Sequence, residues 1–330
     1  MEYRRLGATG LQVSQLCLGT MTFGVQCDEP TSLAILDAAA AGGVTFIDTS
    51  DVYPIAGTYQ SNGRTEEILG RWLKGRRADF IVATKCFGAM SERRWDRGNS
   101  RKHILDAIDG SLRRLQTDYV DLYQLHGPDP DTPIDETLRA LEDVVRSGRA
   151  RYLGCSNFLA YQVARAIGRS ETLGVTRFAS VQPRYNLLFR EIERELLPLA
   201  REEGLGVIPF NPIAGGLLSG KHRLESGPTP DSRFSLGKAG EIYRGRYWNE
   251  RTFATVEALR AIAREAGLDM VTMAVAWVMA NPVVTAPIVG ASRSEQLAPA
   301  LAAASVKLAP DLQARLDEVT AEYRKGDSPR

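Results

Sequence analysis

Four residues that together could deliver a proton to an oxygen occur in chain order: Asp48, Tyr53 five positions later, Lys85 and His126. A free tyrosine has a pKa of ~10 and is a poor acid near neutrality unless its phenolate is stabilised. A neighbouring ammonium supplies that stabilisation, and a carboxylate can hold the ammonium in place. A histidine can orient or polarise a carbonyl oxygen. The set therefore suits protonation of an oxygen that is becoming an alkoxide, which reduction of a carbonyl by hydride demands. The same residues also admit a plainer reading, a buried Asp48–Lys85 ion pair with Tyr53 and His126 packed at a rim.

Such residues need elements that end at one place. Short apolar runs alternate with longer helical patterns along the chain: Gln15–Leu18, Val44–Ile47, Phe80–Ala83, Val120–Leu125, Tyr152–Gly154, Phe178–Val181, Gly206–Ile208 and Ala286–Val289. Near-continuous apolar strands are what a parallel sheet covered on its faces requires. Between them, Thr132-Pro133 supplies an N-cap and a first-turn proline, with Asp135 and Glu136 in the first turn and Ser147-Gly148 at the far end. Another helix runs from Pro30 through an alanine-rich face to Gly42-Gly43. Eight strand-plus-helix units in 330 residues predict an α/β fold, a (β/α)8 TIM barrel, and the absence of a low-complexity linker makes residues 1–330 one domain. Tyr3–Leu6 and Leu11–Val13, separated by Gly7-Ala8-Thr9-Gly10, read as a β-hairpin capping the barrel bottom. The seventh and eighth strands are the farthest apart, and the gap holds two extra helices, about Thr252–Gly267 and Thr272–Ala280. It also holds a Gly/Pro/Arg/aromatic loop from about Gly215 to Trp248, and long loops of this kind are usually lids or binding loops.

In such barrels the site forms at the C-terminal ends of the strands. Asp48 and Tyr53 follow the second run, Lys85 the third, His126 the fourth, Ser156-Asn157 the fifth and Gln182 the sixth. Phe210 and Asn211 follow the seventh, and Ser292 and Arg293 the eighth. Each alone reads more readily as a solvated loop residue; their joint placement at one mouth favours chemistry.

At this point the chain resembles the aldo-keto reductases. The matching segments are Phe46–Tyr53, Ala83–Lys85, Leu122–His126, Gly154–Phe158 and Gly290–Leu297, in family order over most of the chain. Within the family it is similar to bacterial general reductases and the related potassium-channel β-subunits, through Leu125–Pro130 and Gly215–Lys221. Those β-subunits carry Asn where this chain keeps His126, which favours an enzyme over a reductase-like NADPH-binding, redox-sensing regulator. The resemblance implies Tyr53 as general acid, Lys85 as the group lowering its pKa, Asp48 as the partner of Lys85, and His126 as the substrate-orienting group. It implies NADPH (NADP+) as cofactor, with NADH the alternative, lying across the mouth without a Rossmann domain; no GxGxxG occurs in the chain. Gly19, Thr20 and Met21 match the segment near the nicotinamide ribose, Ser156, Asn157 and Gln182 the carboxamide contacts, and Phe210 the stacking aromatic. Asn211, Pro212, Ile213, Gly215, Ser219 and Lys221 match the loop at the pyrophosphate. Arg233, Gly290, Ser292, Arg293 and Gln296 fall at the adenosine end. There the chain departs from many members, which have Lys at Gly290, Arg at Gln296 and Asn at Ala300; Arg293, Arg233 and Lys221 are the cations left to meet a 2′-phosphate.

Gly215–Lys221 also fits the phosphate-cradling GxxxxGK pattern of nucleotide hydrolases, but His222 replaces the required Ser/Thr. His103 and His222 read as surface residues, and no His/Cys/carboxylate cluster suggests a metal. Phe23, Ile55, Phe87 and Trp95, with Met21 and Tyr247, are candidates to line a substrate pocket beside an arginine-rich rim (Arg93, Arg94, Arg97, Arg244, Arg246). The implied partner is a small carbonyl compound of unspecified structure.

Composition narrows the classes further. Of the residues, 44% are hydrophobic and 25% charged, and 41 Lys+Arg against 40 Asp+Glu leave a net charge of +1, without a global pull toward nucleic acid or anionic lipid. Met1-Glu2-Tyr3-Arg4-Arg5 is not the start of a secretory signal, and the apolar stretch Met270–Ala280 is about half the ~20 residues a membrane helix needs. Cys17, Cys27, Cys86 and Cys155 are dispersed without a CxxC, as expected of free thiols in a reducing cytoplasm.

Overall fold

The computed structural model describes residues 1–230 and 232–324. A short antiparallel hairpin, β1 (Tyr3–Arg5) and β2 (Gln12–Ser14), opens the chain. Eight further strands form one parallel sheet: β3 (Cys17–Gly19), β4 (Phe46–Asp48), β5 (Ile81–Cys86), β6 (Val120–Leu125), β7 (Ala150–Ser156), β8 (Ser180–Gln182), β9 (Gly206–Val207) and β10 (Ile288–Val289). From β3 to β9 each strand pairs with the next in sequence, and β10 returns to pair with β3. At the remaining edge, the Thr285 N–H donates to the Val207 carbonyl at 2.7 Å and the Ile288 N–H to the Pro209 carbonyl at 2.8 Å, making parallel bridges. The arrangement is that of a (β/α)8 fold.

Side-chain alternation along these strands builds two cores. Leu6, Val13, Cys17, Phe46, Ala83, Leu122, Ile208, Ala286 and Ile288 form a small inner cluster, to which the hairpin contributes Leu6 and Val13. Their strand neighbours Leu16, Leu18, Ile47, Val82 and Tyr123 point the other way, into the large core under the helices. Moving two residues beyond Phe46, Ala83 and Leu122 keeps the same face and reaches Asp48, Lys85 and Gln124. The register places Gly19 beside Asp48, Lys85 beside Gln124, and Ser156 beside Gln182. The polar groups thus form the layer above the inner apolar plug.

Helices α1 (Glu29–Ala41), α2 (Arg64–Leu73), α3 (Arg101–Leu115), α4 (Ile134–Arg146), α5 (Ala160–Leu173) and α6 (Leu196–Glu202) alternate with these strands. Caps fix several starts: the Asp28 carboxylate accepts from Thr31 N–H at 2.9 Å, and the Ser100 hydroxyl from His103 N–H at 3.3 Å. The expected Thr132 cap is not used; Pro133 takes the cap position of α4, and Thr132 Oγ1 instead donates to Asp129 at 2.7 Å.

The segment from Gly215 to Trp248 departs from the expected loop. It contains a helix, α7 (Gly237–Tyr247), followed by α8 (Glu250–Glu265) and α9 (Met270–Ala280), the latter two close to the expected helix pair. Lys221 leads into irregular chain and not into the helix that a nucleotide-hydrolase phosphate loop requires, which removes that reading. After β10 come α10 (Leu297–Ala302) and α11 (Pro310–Val319), and residues 325–330 lie outside the described part.

Candidate active site

Asp48 ends β4, Lys85 lies near the end of β5, and His126 follows β6 directly, so parallel pairing alone carries three of the four residues to one mouth. Tyr53 arrives from the turn after β4, where its N–H donates to the Ser50 carbonyl at 3.2 Å. Lys85 Nζ donates to Asp48 Oδ2 at 2.5 Å and to the Thr49 carbonyl at 2.8 Å, and lies 3.5 Å from the Tyr53 hydroxyl. The Tyr53 and His126 rings meet edge to face with centroids 5.7 Å apart. The Asp48–Lys85 pair is fully buried, so its worth rests on every polar atom being satisfied. Asp48 Oδ1 meets that demand by accepting from Gln182 Nε2 at 2.8 Å and Gln124 Nε2 at 3.1 Å.

Burial works against the charge of Lys85, but Asp48 and Tyr53 outweigh it and hold the ammonium's pKa above its ordinary value. Burial pushes the Tyr53 phenol up, with Lys85 pulling the other way. The expected lowering by Lys85 is therefore present as an opposing effect, while the net direction is upward. His126 is pushed down to about 3 by burial and the Lys85 charge, so its imidazole is neutral near pH 7.

Most of the residues matched to a cofactor follow the ends of the same strands. Gly19, Thr20 and Met21 leave β3, and the Thr20 hydroxyl donates to the Asp48 carbonyl at 2.9 Å. Ser156 Oγ donates to the Gln182 carbonyl at 2.9 Å, and Asn157 Nδ2 to the His126 carbonyl at 2.9 Å. Phe210 sits at the end of the β9 segment, half-buried, against the inner cluster. Beyond it Asn211, Pro212 and Ile213 lead into a 3-10 turn, Ala214–Ser219, in which Gly215 has φ 69°. A Cβ at Gly215 would also lie 2.5 Å from the Tyr243 ring, so both backbone and packing require glycine. Ser219 is half-buried and Lys221 exposed. Gly290, Ser292, Arg293 and Gln296 follow β10; the Ser292 N–H and hydroxyl both donate to Gln296 Oε1, at 2.9 and 3.1 Å, while Arg293 is exposed.

Arg233 is the informative member of that group. Its Nη1 is buried without a hydrogen-bond partner among the described residues. Its side chain lies against the Gly215 turn, and its charge is felt by Cys27, whose Sγ is 3.7 Å from the Ser292 carbonyl. The guanidinium lies over the Tyr243 ring at 5.6 Å with one donor unused. A guanidinium donor of this kind is suited to an anionic group such as a nucleotide phosphate.

Other candidates are placed less directly. Ile55 and Phe87 are half-buried and Trp95 is exposed on the loop before α3, whereas Phe23 is wholly buried in the outer core and packs instead of lining a mouth. Tyr247 is likewise buried: its hydroxyl accepts from Asn186 Nδ2 at 3.1 Å and Asn211 Nδ2 at 2.9 Å, and Asn211 accepts from the Gly215 N–H. It braces the glycine turn. His103 and His222 are buried, not at the surface, and the ring nitrogens of both lack partners among the described residues. His222 is enclosed by Phe234 and Trp248, with centroids at 5.1 and 5.6 Å. Also unforeseen are Gln124 and the buried pair Ser50 and Asp51, whose polar types inside an apolar strand-to-turn segment were the available signal. All four cysteines are buried free thiols. Among the described residues no helix is long and apolar enough to cross a membrane, and no group of His, Cys, Asp and Glu could hold a metal ion.

Comparison with known proteins gives a consistent result. The model of the aldo/keto reductase family matches residues 15–321. An uncharacterized oxidoreductase of Bacillus subtilis, YrpG, is 39% identical over 326 residues, covering 97% of this chain and 96% of that protein. A probable voltage-gated potassium channel subunit beta of Oryza sativa is 39% identical over 303 residues, 90% of this chain and 89% of that protein. A versiconal hemiacetal acetate reductase of Aspergillus parasiticus is 34% identical over 346 residues, 96% of each.

Proposed function

Because the chain belongs to the aldo/keto reductase family and is an NAD(P)H-dependent oxidoreductase, we propose that it reduces an aldehyde or ketone to an alcohol, with NADPH as donor and Tyr53 as general acid. The observation that carries this is the buried Lys85 ammonium, 2.5 Å from Asp48 and 3.5 Å from the Tyr53 hydroxyl, with His126 beside the phenol.

The geometry supports these roles. Tyr53, held protonated by burial, gives its proton only to an oxygen gaining negative charge. Lys85 stabilises the phenolate left behind, an interaction that strengthens as the proton leaves and so acts mainly in the transition state. Asp48, fixed by Gln124 and Gln182, keeps the ammonium in place. The neutral His126 ring orients the carbonyl oxygen without competing for the proton. The nicotinamide cofactor supplies the hydride when bound. Ser156, Asn157 and Gln182 would hold its carboxamide, Phe210 its ring face, the Asn211–Lys221 turn its pyrophosphate, and Arg233, Ser292, Arg293 and Gln296 its adenosine end. The unused Arg233 donor supports NADPH over NADH. In this reading residues 1–330 work as one barrel domain, in the cytoplasm, on a small carbonyl compound.

The test is a fluorescence titration of the purified protein with NADPH and NADH, followed by an absorbance assay against a panel of aldehydes and ketones. Tighter NADPH binding with carbonyl-dependent oxidation is expected. Tight binding without turnover across the panel would replace the reductase with the redox-sensing regulator.

A further inference from the structure

Beneath the histidine lies a short buried chain of polar atoms that the proton donor and its lysine do not use. Ser50 Oγ is 3.1 Å from His126 Nδ1 and 3.2 Å from Asp51 Oδ1; a third acceptor, the Lys85 carbonyl, is more distant at 3.5 Å. Ser50 and Asp51 have no exposed surface. This contact uses Nδ1 and leaves Nε2, the other imidazole nitrogen, available to a substrate. We propose that Ser50 and Asp51 are positioning residues which select the ring nitrogen of His126 that bears the proton, and so decide whether this histidine donates a hydrogen bond to the substrate's carbonyl oxygen. The inference rests on the reading of His126 as the substrate-orienting group.

A serine hydroxyl has one proton to donate, and a neutral imidazole has one N–H. If Asp51 is protonated on Oδ1, it donates to Ser50 Oγ, Ser50 donates to His126 Nδ1, and the ring proton resides on Nε2, facing the carbonyl. If Asp51 is ionised, the hydroxyl turns to its carboxylate, Nδ1–H donates to Ser50, and Nε2 presents a lone pair that cannot polarise a carbonyl. Asp51 Oδ2 has no partner among the described residues, which places the acid proton on Oδ1, where it has an acceptor, since an unpaired buried donor costs about 1–3 kcal/mol.

The surroundings of Asp51 favour the protonated form. Burial comes first, followed by the charge of Glu66; Arg114, the Ser50 hydroxyl and the Val52 N–H act in the opposite direction, and the carboxyl is pushed up to about 8. Glu66 is itself occupied by Arg114 Nε at 2.7 Å and Thr84 Oγ1 at 2.5 Å. Cys86 and Tyr123 also face Asp51, and burial raises both, so neither is charged near neutrality. On the histidine side stand Lys85, whose charge disfavours imidazolium, and Tyr53.

The chain has 3 histidines, so labelling with 15N-histidine gives a spectrum in which His126 is identified by its loss in His126→Gln. Between about pH 6 and pH 10 the His126 shifts should pass from the Nε2–H to the Nδ1–H pattern near pH 8. The ring stays neutral throughout, so the change reports a tautomer and not protonation. Asp51→Asn, which retains a neutral donor, should hold the Nε2–H form over the whole range; Ser50→Ala should abolish the transition and Ser50→Thr restore it. In turnover, kcat of the unmodified protein should fall about tenfold per pH unit above the same midpoint, and Asp51→Asn should lose that fall. A single tautomer at all pH values, an unchanged transition in Asp51→Asn or Ser50→Ala, or a kcat profile indifferent to the tautomer would overturn the proposal. A normal tautomer transition in a protein that reduces no carbonyl would instead overturn the reductase reading and leave the Ser50–Asp51 control of the histidine standing.

Discussion

Burial and charge act on Tyr53 in opposite directions, and the balance suits an acid that must keep its proton until the reaction calls for it. Burial raises the phenol while Lys85, 3.5 Å away, lowers it. The spacing of Asp48, Tyr53, Lys85 and His126 was legible because each follows an apolar run, and parallel strands bring such ends together. The Ser50–Asp51 pair was not legible, since serine and aspartate after a strand are ordinary turn residues until the fold shows them sealed from water. Asp51 also has a consequence for stability. Its folded pKa of about 8 lies above its unfolded value, so the folded state binds the extra proton between about pH 4 and pH 8 and stability falls as pH rises through that window. Removing the acid in Asp51→Asn should therefore stabilise the protein at pH 7 relative to pH 4, with the difference growing by up to about 1.4 kcal/mol per pH unit. Urea melts of both proteins at a series of pH values read this directly; a constant difference would mean Asp51 is ionised in the fold.

Among the elements, the strands were easiest to read because period-two alternation divides each between inner and outer cores; β6, Val120–Leu125, has the boundaries its apolar run predicts. Helix α7 was hidden: Gly237, Lys238, Gly240, Gly245 and its arginines look like a loop, and helical propensity gives it little support. Tertiary contact supplies what propensity does not. Gly240 packs against the Phe234 backbone, and Tyr247 hydrogen-bonds to Asn186 and Asn211. The same closeness governs the α2–α3 contact, where a Cβ on Gly70 would stand 2.4 Å from the Arg114 carbonyl oxygen. Gly70→Ala, although it improves intrinsic helix propensity, should lower stability by about 1–3 kcal/mol through overpacking. An unchanged denaturation midpoint would show that the two helices separate without strain.

At the scale of the molecule, a small apolar plug and a polar layer share the barrel interior, and the hairpin closes the lower end. Leu6, wholly buried in the inner cluster, is the hairpin's main contribution. Leu6→Ala should cost about 2–5 kcal/mol and leave cofactor affinity unchanged, since the plug lies under the site; a loss of NADPH binding without a loss of stability would contradict that division. His103 and His222 escaped a sequence reading because a charged helical stretch around one and a loop around the other suggested surface, whereas packing of distant segments buries them. Arg233 acts across the same distances. Arg233→Ala should weaken NADPH by about tenfold to a hundredfold and NADH far less, following the ~1.5–3 kcal/mol of a charged hydrogen bond. Equal weakening of both in a binding titration would detach Arg233 from the 2′-phosphate.

The central claim is that Tyr53 gives the proton. Its most direct test compares Tyr53→Phe with the unmodified protein, measuring NADPH affinity by fluorescence and carbonyl-dependent NADPH oxidation on the same samples. The account predicts an affinity within about twofold of the original and turnover reduced by about 10²–10⁴. Retained turnover, or loss of NADPH affinity together with activity, would contradict it.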